Sequence, residues 1–142
     1  AQLTQIFFYH GAADKIAAAC ALLGGAYAKK KAMLVFAPDK EIASSIDRML
    51  WTQSALSFIP HCRADSPLSG ETPILITDSL DTIPQDERLM NLSQEIPPGF
   101  SRFQSLIEVV GQADDERDAA RTRVKFYKDR GYEVRYFDLN ER

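Results

Sequence analysis

Two histidines, two cysteines, one tryptophan and a cation-rich stretch near the C-terminus are the residues of this chain whose chemistry could build a site. His10 closes the run Gln5-Ile6-Phe7-Phe8-Tyr9 and is followed by Gly11, the kind of strand end at which an α/β sheet presents ligand-binding groups. It is the best catalytic candidate by position, yet a strand-end histidine is more simply satisfied by backbone hydrogen bonds. His61 and Cys62 taken with His10 and Cys20 could be drawn as a zinc set, but their spacing matches no zinc-ligand pair pattern. Asp78-Ser79-Leu80-Asp81 would suit a metal-dependent phosphatase if more acidic partners accompanied it, and its residue types are also those of ordinary turns. After the first strand comes His10-Gly11-Ala12-Ala13-Asp14-Lys15, neither GxGxxG nor GxxxxGK followed by Ser or Thr, so no phosphate-cradling loop is present. No serine sits in a GxSxG elbow. These residues predict no catalytic constellation, no metal and no cofactor.

Binding chemistry is better represented. Arg117, Arg121, Lys125 and Lys128 fall at helical spacing and form one cationic stripe. Ala120, Val124 and Tyr127 make an apolar stripe beside it. A solvated face tied by pairs such as Asp114–Arg117 and Asp118–Arg121 would account for the charges alone, each pair contributing about 0.2–0.5 kcal/mol. Aromatic residues at the same place would change that reading. Trp51 ends a helix-like run, and Phe58-Ile59-Pro60-His61 follows it. A pocket walled by Trp51, Phe58 and Val110 and rimmed by Arg117, Arg121 and Lys125 would hold a short peptide with acidic residues and a terminal aromatic. The cations would take its carboxylates through charge-assisted hydrogen bonds.

The elements that must position these residues alternate between strand and helix patterns. Strands are expected at 5–10, 32–37, 58–62, 73–77, 89–92, 106–110 and 132–138; the run 32–37 is continuously apolar, as in a strand buried on both faces. Helices are expected at 14–31, from Asp39 as N-cap through Leu50, and at 113–130, the last with acids at its start, bases at its end and Gly131 at C′. Gly24-Gly25 inside the first helix costs roughly 1 kcal/mol per glycine, which tight packing against a neighbour would offset. The expected fold class is a single three-layer α/β domain over residues 1–142, a mostly parallel central sheet with helices on both faces. At 142 residues, 45% hydrophobic and 26% charged, the chain can bury a sizeable core. A net charge of −3 argues against global attraction to nucleic acid. The two cysteines form no disulfide framework, no apolar run approaches the roughly 20 residues of a membrane span, and no signal peptide is visible. A cytoplasmic setting is the expectation.

Several stretches together resemble the chi subunit of bacterial DNA polymerase III holoenzyme. They are Phe7-Phe8-Tyr9; 32–37 after a Lys-rich turn; Asp47-Arg48-Met49-Leu50-Trp51 with Ser57-Phe58-Ile59-Pro60-His61; Pro73-Ile74-Leu75-Ile76; and Ile107-Glu108-Val109-Val110 leading to 120–128 and Gly131-Tyr132. The resemblance runs nearly the full length in order. It implies a Rossmann-like fold and a non-catalytic clamp-loader accessory protein. It also implies two partners: the psi subunit, and the acidic, phenylalanine-ended C-terminal tail of single-stranded DNA-binding protein. Nucleic acid would then be contacted only indirectly. The tail pocket carries over onto Trp51, Phe58, Val110, Arg117, Arg121 and Lys125, with Val124 and Lys128 on the same helix. The resemblance sets Val124 against a tyrosine of the family pattern and Arg117 against a lysine. No psi-binding residues are transferable. The alternatives are a nucleotide-dependent enzyme using His10 or Asp78, and direct single-stranded DNA binding by the 117–128 helix, which no series of stacking aromatics accompanies.

Overall fold

The computed structural model describes residues 3–52, 61–63, 73–81 and 85–139. Among these residues seven strands form one sheet in the order β3-β4-β2-β5-β6-β1-β7, and every neighbouring pair is parallel. They are β1 (Gln5–Ala12), β2 (Met33–Phe36), β3 (His61–Arg63), β4 (Ile74–Thr77), β5 (Arg88–Asn91), β6 (Ser105–Gly111) and β7 (Val134–Asp138). Among the described residues, three α-helices connect them: α1 (Lys15–Ala28), α2 (Lys40–Thr52) and α3 (Asp114–Asp129). The expected α/β class is therefore observed, with a sheet that is wholly parallel. The expected strand at 58–62 is described only from His61 onward. No helix among the described residues is long and apolar enough to cross a membrane.

The continuous apolar strands reflect burial on both faces. Met33 and Val35 of β2 face α1 and α2 together with Ile74, Ile76 and Met90, where Leu23, Ile46 and Leu50 pack on them. Leu34 and Phe36 turn to the other side and join Leu75, Leu89, Leu106 and Tyr127 of α3. Phe100 and Phe103, in and after a short 3-10 turn, complete that side. α1 and α2 thus lie on one face of the sheet and α3 on the other. Each run of apolar residues serves two cores, as parallel sheets require.

The helix ends follow local chemistry. Asp14 caps α1 by accepting a hydrogen bond from the Ala17 N–H at 3.1 Å, and Asp39 accepts one from the Glu41 N–H at 2.9 Å. α3 carries the expected acids at its start, but its N-cap is Ala113, which makes no side-chain bond. Its first-turn acids act through the dipole and, in the case of Glu116, through contacts outside the helix. Gly25 does not serve close packing: a Cβ placed there would meet nothing within 4 Å. The loop after β4 is built by turn chemistry rather than as a metal site. Thr77 Oγ1 donates to the Ser79 carbonyl at 2.7 Å, and Ser79 Oγ accepts from the Asp81 N–H at 3.2 Å.

Candidate functional site

α3 crosses the β6–β1–β7 edge of the sheet and leaves a cavity of about 530 Å³ beside it. Strand alternation aims Phe8 of β1, Val110 of β6 and Tyr136 of β7 at the helix, and Ala120 and Val124 meet them from above. Phe8 and Tyr136 are register partners with ring centroids 6.1 Å apart. The Tyr136 ring stays 48% exposed and forms the open wall. His10 lies at 6.4 Å from it, edge to face.

The rim is cationic because the exposed edge of α3 repeats basic residues about every turn. Arg117, Arg121, Lys125 and Lys128 all line the cavity. Arg121 pairs with Asp118 at 3.0 Å and Lys125 with Asp129 at 2.9 Å, while Arg117 reaches Asp114 only at 3.9 Å. The hydrogen bond to Asp129 and then its charge hold the Lys125 ammonium above its ordinary pKa. Lys128 Nζ sits 5.3 Å from the centre of the Tyr136 ring. These exposed pairs are weak and screened, so an incoming anion can displace the helix's own carboxylates at little cost. Among the described residues the lining holds neither a thiol nor an aliphatic hydroxyl. An apolar floor under a row of cations can seat a ligand with one apolar end and neighbouring negative charges.

The structure gathers six of the residues singled out from sequence: Val110, Arg117, Arg121, Val124, Lys125 and Lys128. Trp51 belongs to α2, which packs with α1 on the face of the sheet opposite α3. Its side chain and Phe58 lie outside what is described. Among the described residues, Phe8 and Tyr136 give the cavity its aromatic wall. Sequence reasoning missed these two because nothing local says that β7 pairs with β1; given that pairing, alternation alone puts Phe8, His10 and Tyr136 under α3.

The other chemistry-bearing residues take structural positions. His61 Nε2 lies 2.9 Å from Asp47 Oδ1 and ties β3 to α2. Cys20 is fully buried, and burial followed by the charge of Asp14 pushes its thiol up to about 11, which removes the thiolate needed for reactivity. No group of three or more potential metal ligands occurs among the described residues. The crevice where β1 and β6 send their helices to opposite faces is the usual ligand position of such sheets. Here a carboxylate of the chain occupies it. Glu116 accepts from the Gly111 N–H at 3.2 Å, pairs with Lys15 at 3.0 Å and accepts from Gln94 at 2.9 Å.

The profile of the family described as DNA polymerase III chi subunit, HolC, matches residues 3–135. The chain belongs to this family. The DNA polymerase III subunit chi of Pseudomonas aeruginosa is 29% identical over 136 residues, covering 92% of this chain and 93% of that one. The subunit chi of Haemophilus influenzae is 28% identical, covering 82% and 81%, and that of Escherichia coli 24%, covering 81% and 79%. Membership of the chi family makes the protein an accessory subunit in DNA replication, with partners inside the polymerase complex.

Proposed function

We propose that the protein is a non-catalytic adaptor of the clamp loader. The cavity under α3 holds the acidic, phenylalanine-ended tail of single-stranded DNA-binding protein, and a separate surface attaches the psi subunit, in the cytoplasm. The observation that carries this reading is the pairing of an apolar cavity with four cations from one helix edge. A terminal aromatic ring fits against Phe8, Val110 and Tyr136, while Arg117, Arg121, Lys125 and Lys128 face the tail's carboxylates. A nucleotide-dependent enzyme is not favoured, because Glu116 already engages the donors at the crevice an anion would use.

The test is calorimetric titration with a peptide ending Asp-Ile-Pro-Phe. Affinity should be micromolar and should weaken with salt, since exposed charge contacts are screened over about 10 Å at 0.1 M. Arg121→Ala should weaken it by several-fold. An unchanged constant in that variant would remove the α3 cavity from the reading.

A further inference from the structure

The side of the sheet opposite α3 carries aromatic chemistry that tail binding does not use. α1 leaves β1 and packs over β6 and against α2; on that side Phe7 and Tyr9 of β1 are only partly buried and most of β7 is exposed. Alternation sends Phe7 and Tyr9 of β1 and Phe137 of β7 there, away from Phe8 and Tyr136. Phe137 is 40% exposed. It stacks nearly parallel on Tyr9, with centroids 4.8 Å apart at 17°, and on Phe7 at 6.4 Å and 28°. Beside this ladder runs a groove of about 460 Å³ between the sheet and α1. Phe7, Tyr9, Leu22 and Ile107 line it, and Lys29, Lys31 and Arg88 stand at its edge.

The local charge is positive although the chain is acidic. Arg135, in register with Phe7, shares the face of Phe137. Arg88 and Arg135 are each loosely paired with a neighbouring glutamate, at 3.3 Å to Glu87 and 3.4 Å to Glu133. Lys29 and Lys31 are in no ion pair among the described residues. Two of these four cations are thus loosely paired and two are in no ion pair among the described residues, beside three stacked rings. Aromatic faces on an open sheet accept nucleobases, and cations along the edge follow a phosphate backbone. The α3 stripe has the charges without such a ladder, whereas this face has both.

We propose that the open β1–β7 face and its groove form a direct, sequence-independent site for single-stranded nucleic acid, on the opposite side of the sheet from the tail cavity. Bases stack on Phe137 and Tyr9, and phosphates meet Lys29, Lys31, Arg88 and Arg135. This goes beyond the adaptor reading and does not depend on it.

The test is fluorescence anisotropy of the full chain with a labelled oligothymidylate of about 20 nucleotides in low salt. Binding is expected, with a slope of log affinity against log salt between about −2 and −3 for three or four phosphate contacts. Phe137→Ala should weaken it about fivefold or more through lost stacking. Lys29→Ala with Lys31→Ala should flatten the slope by about 1.4. These residues are exposed or at the rim, and circular dichroism checks that each variant is folded. Absence of binding in low salt would overturn the proposal. So would binding that ignores these changes and is lost in Arg121→Glu with Lys125→Glu on α3. Displacement of the oligonucleotide by polyglutamate with Phe137→Ala neutral would mark an acidic-protein surface and overturn it as well.

Discussion

Glu108 is fully buried in the centre of β6 and shows what a single residue can oblige its surroundings to do. Its carboxylate accepts from Tyr127 Oη at 2.5 Å, from Arg123 Nε at 3.2 Å and from Asn91 Nδ2 at 3.0 Å. Burial pushes the carboxyl up, and Arg123 with these donors opposes it. Arg123→Met should cost about 3–5 kcal/mol in urea unfolding, because it strands a buried charge, and Arg123→Met with Glu108→Gln should cost less. A double variant no more stable than the single would show that the pair is not what the site requires. Glu116 behaves differently. Burial alone would raise it, but the Gly111 N–H, Lys15 and Gln94 outweigh burial and hold it below the usual range. A carboxylate with a depressed folded pKa stabilises fully above its unfolded value, and that contribution is lost as pH falls through the folded one. The wild type should therefore lose more unfolding free energy between about pH 5 and pH 3 than Glu116→Gln does; parallel losses would remove the role. Tyr136→Ala should weaken tail-peptide binding by about three- to tenfold in calorimetry if its open ring receives the ligand's aromatic end.

At the scale of elements, α1 and α3 end in the same motif with different residues. After α3, Gly131 takes φ 88°, its N–H donates to the Lys128 carbonyl, and the Tyr132 N–H donates to that of Tyr127. After α1 the equivalent position is Lys30 at φ 59°, with the Lys30 and Lys31 N–H groups donating to Tyr27 and Ala26. A side chain in the left-handed region costs about 1 kcal/mol. Lys30→Gly should stabilise by about that much and Gly131→Ala should destabilise by a similar amount, read from urea midpoints at constant m. A destabilised Lys30→Gly would mean that Lys30 makes a contact worth more than its strain. Gly131 was legible in sequence because glycine after a helix has one common use. The end of α1 at Ala28 was not, since three lysines read equally well as a last turn. Strand positions were legible from apolar runs and turn residues, whereas their lateral order was not, because pairing is decided by helices crossing above or below the sheet.

Across the whole molecule, the order of strands decides which parts of the site could be foreseen. The cations of α3 and Val110 were readable because helical spacing and chain proximity place them together. That α2, which carries Trp51, and α3 occupy different faces is decided at this scale, and no spacing along the chain reports it. The same separation predicts independence. Saturation with the tail peptide should leave the oligonucleotide constant within about twofold, since distant sites without shared partners act additively; strong competition in anisotropy would mean that both ligands use α3.

β7 contributes adjacent residues, Tyr136 and Phe137, to opposite faces through its pairing with β1. One residue inserted between Gly131 and Tyr136 would send every β7 side chain to the other face, placing Arg135 where Tyr136 lines the α3 cavity and Tyr136 where Phe137 stacks on Tyr9. The stretch from α3 to β7 is therefore a fixed-length spacer. Substitutions within it should be tolerated far better than any change in its length.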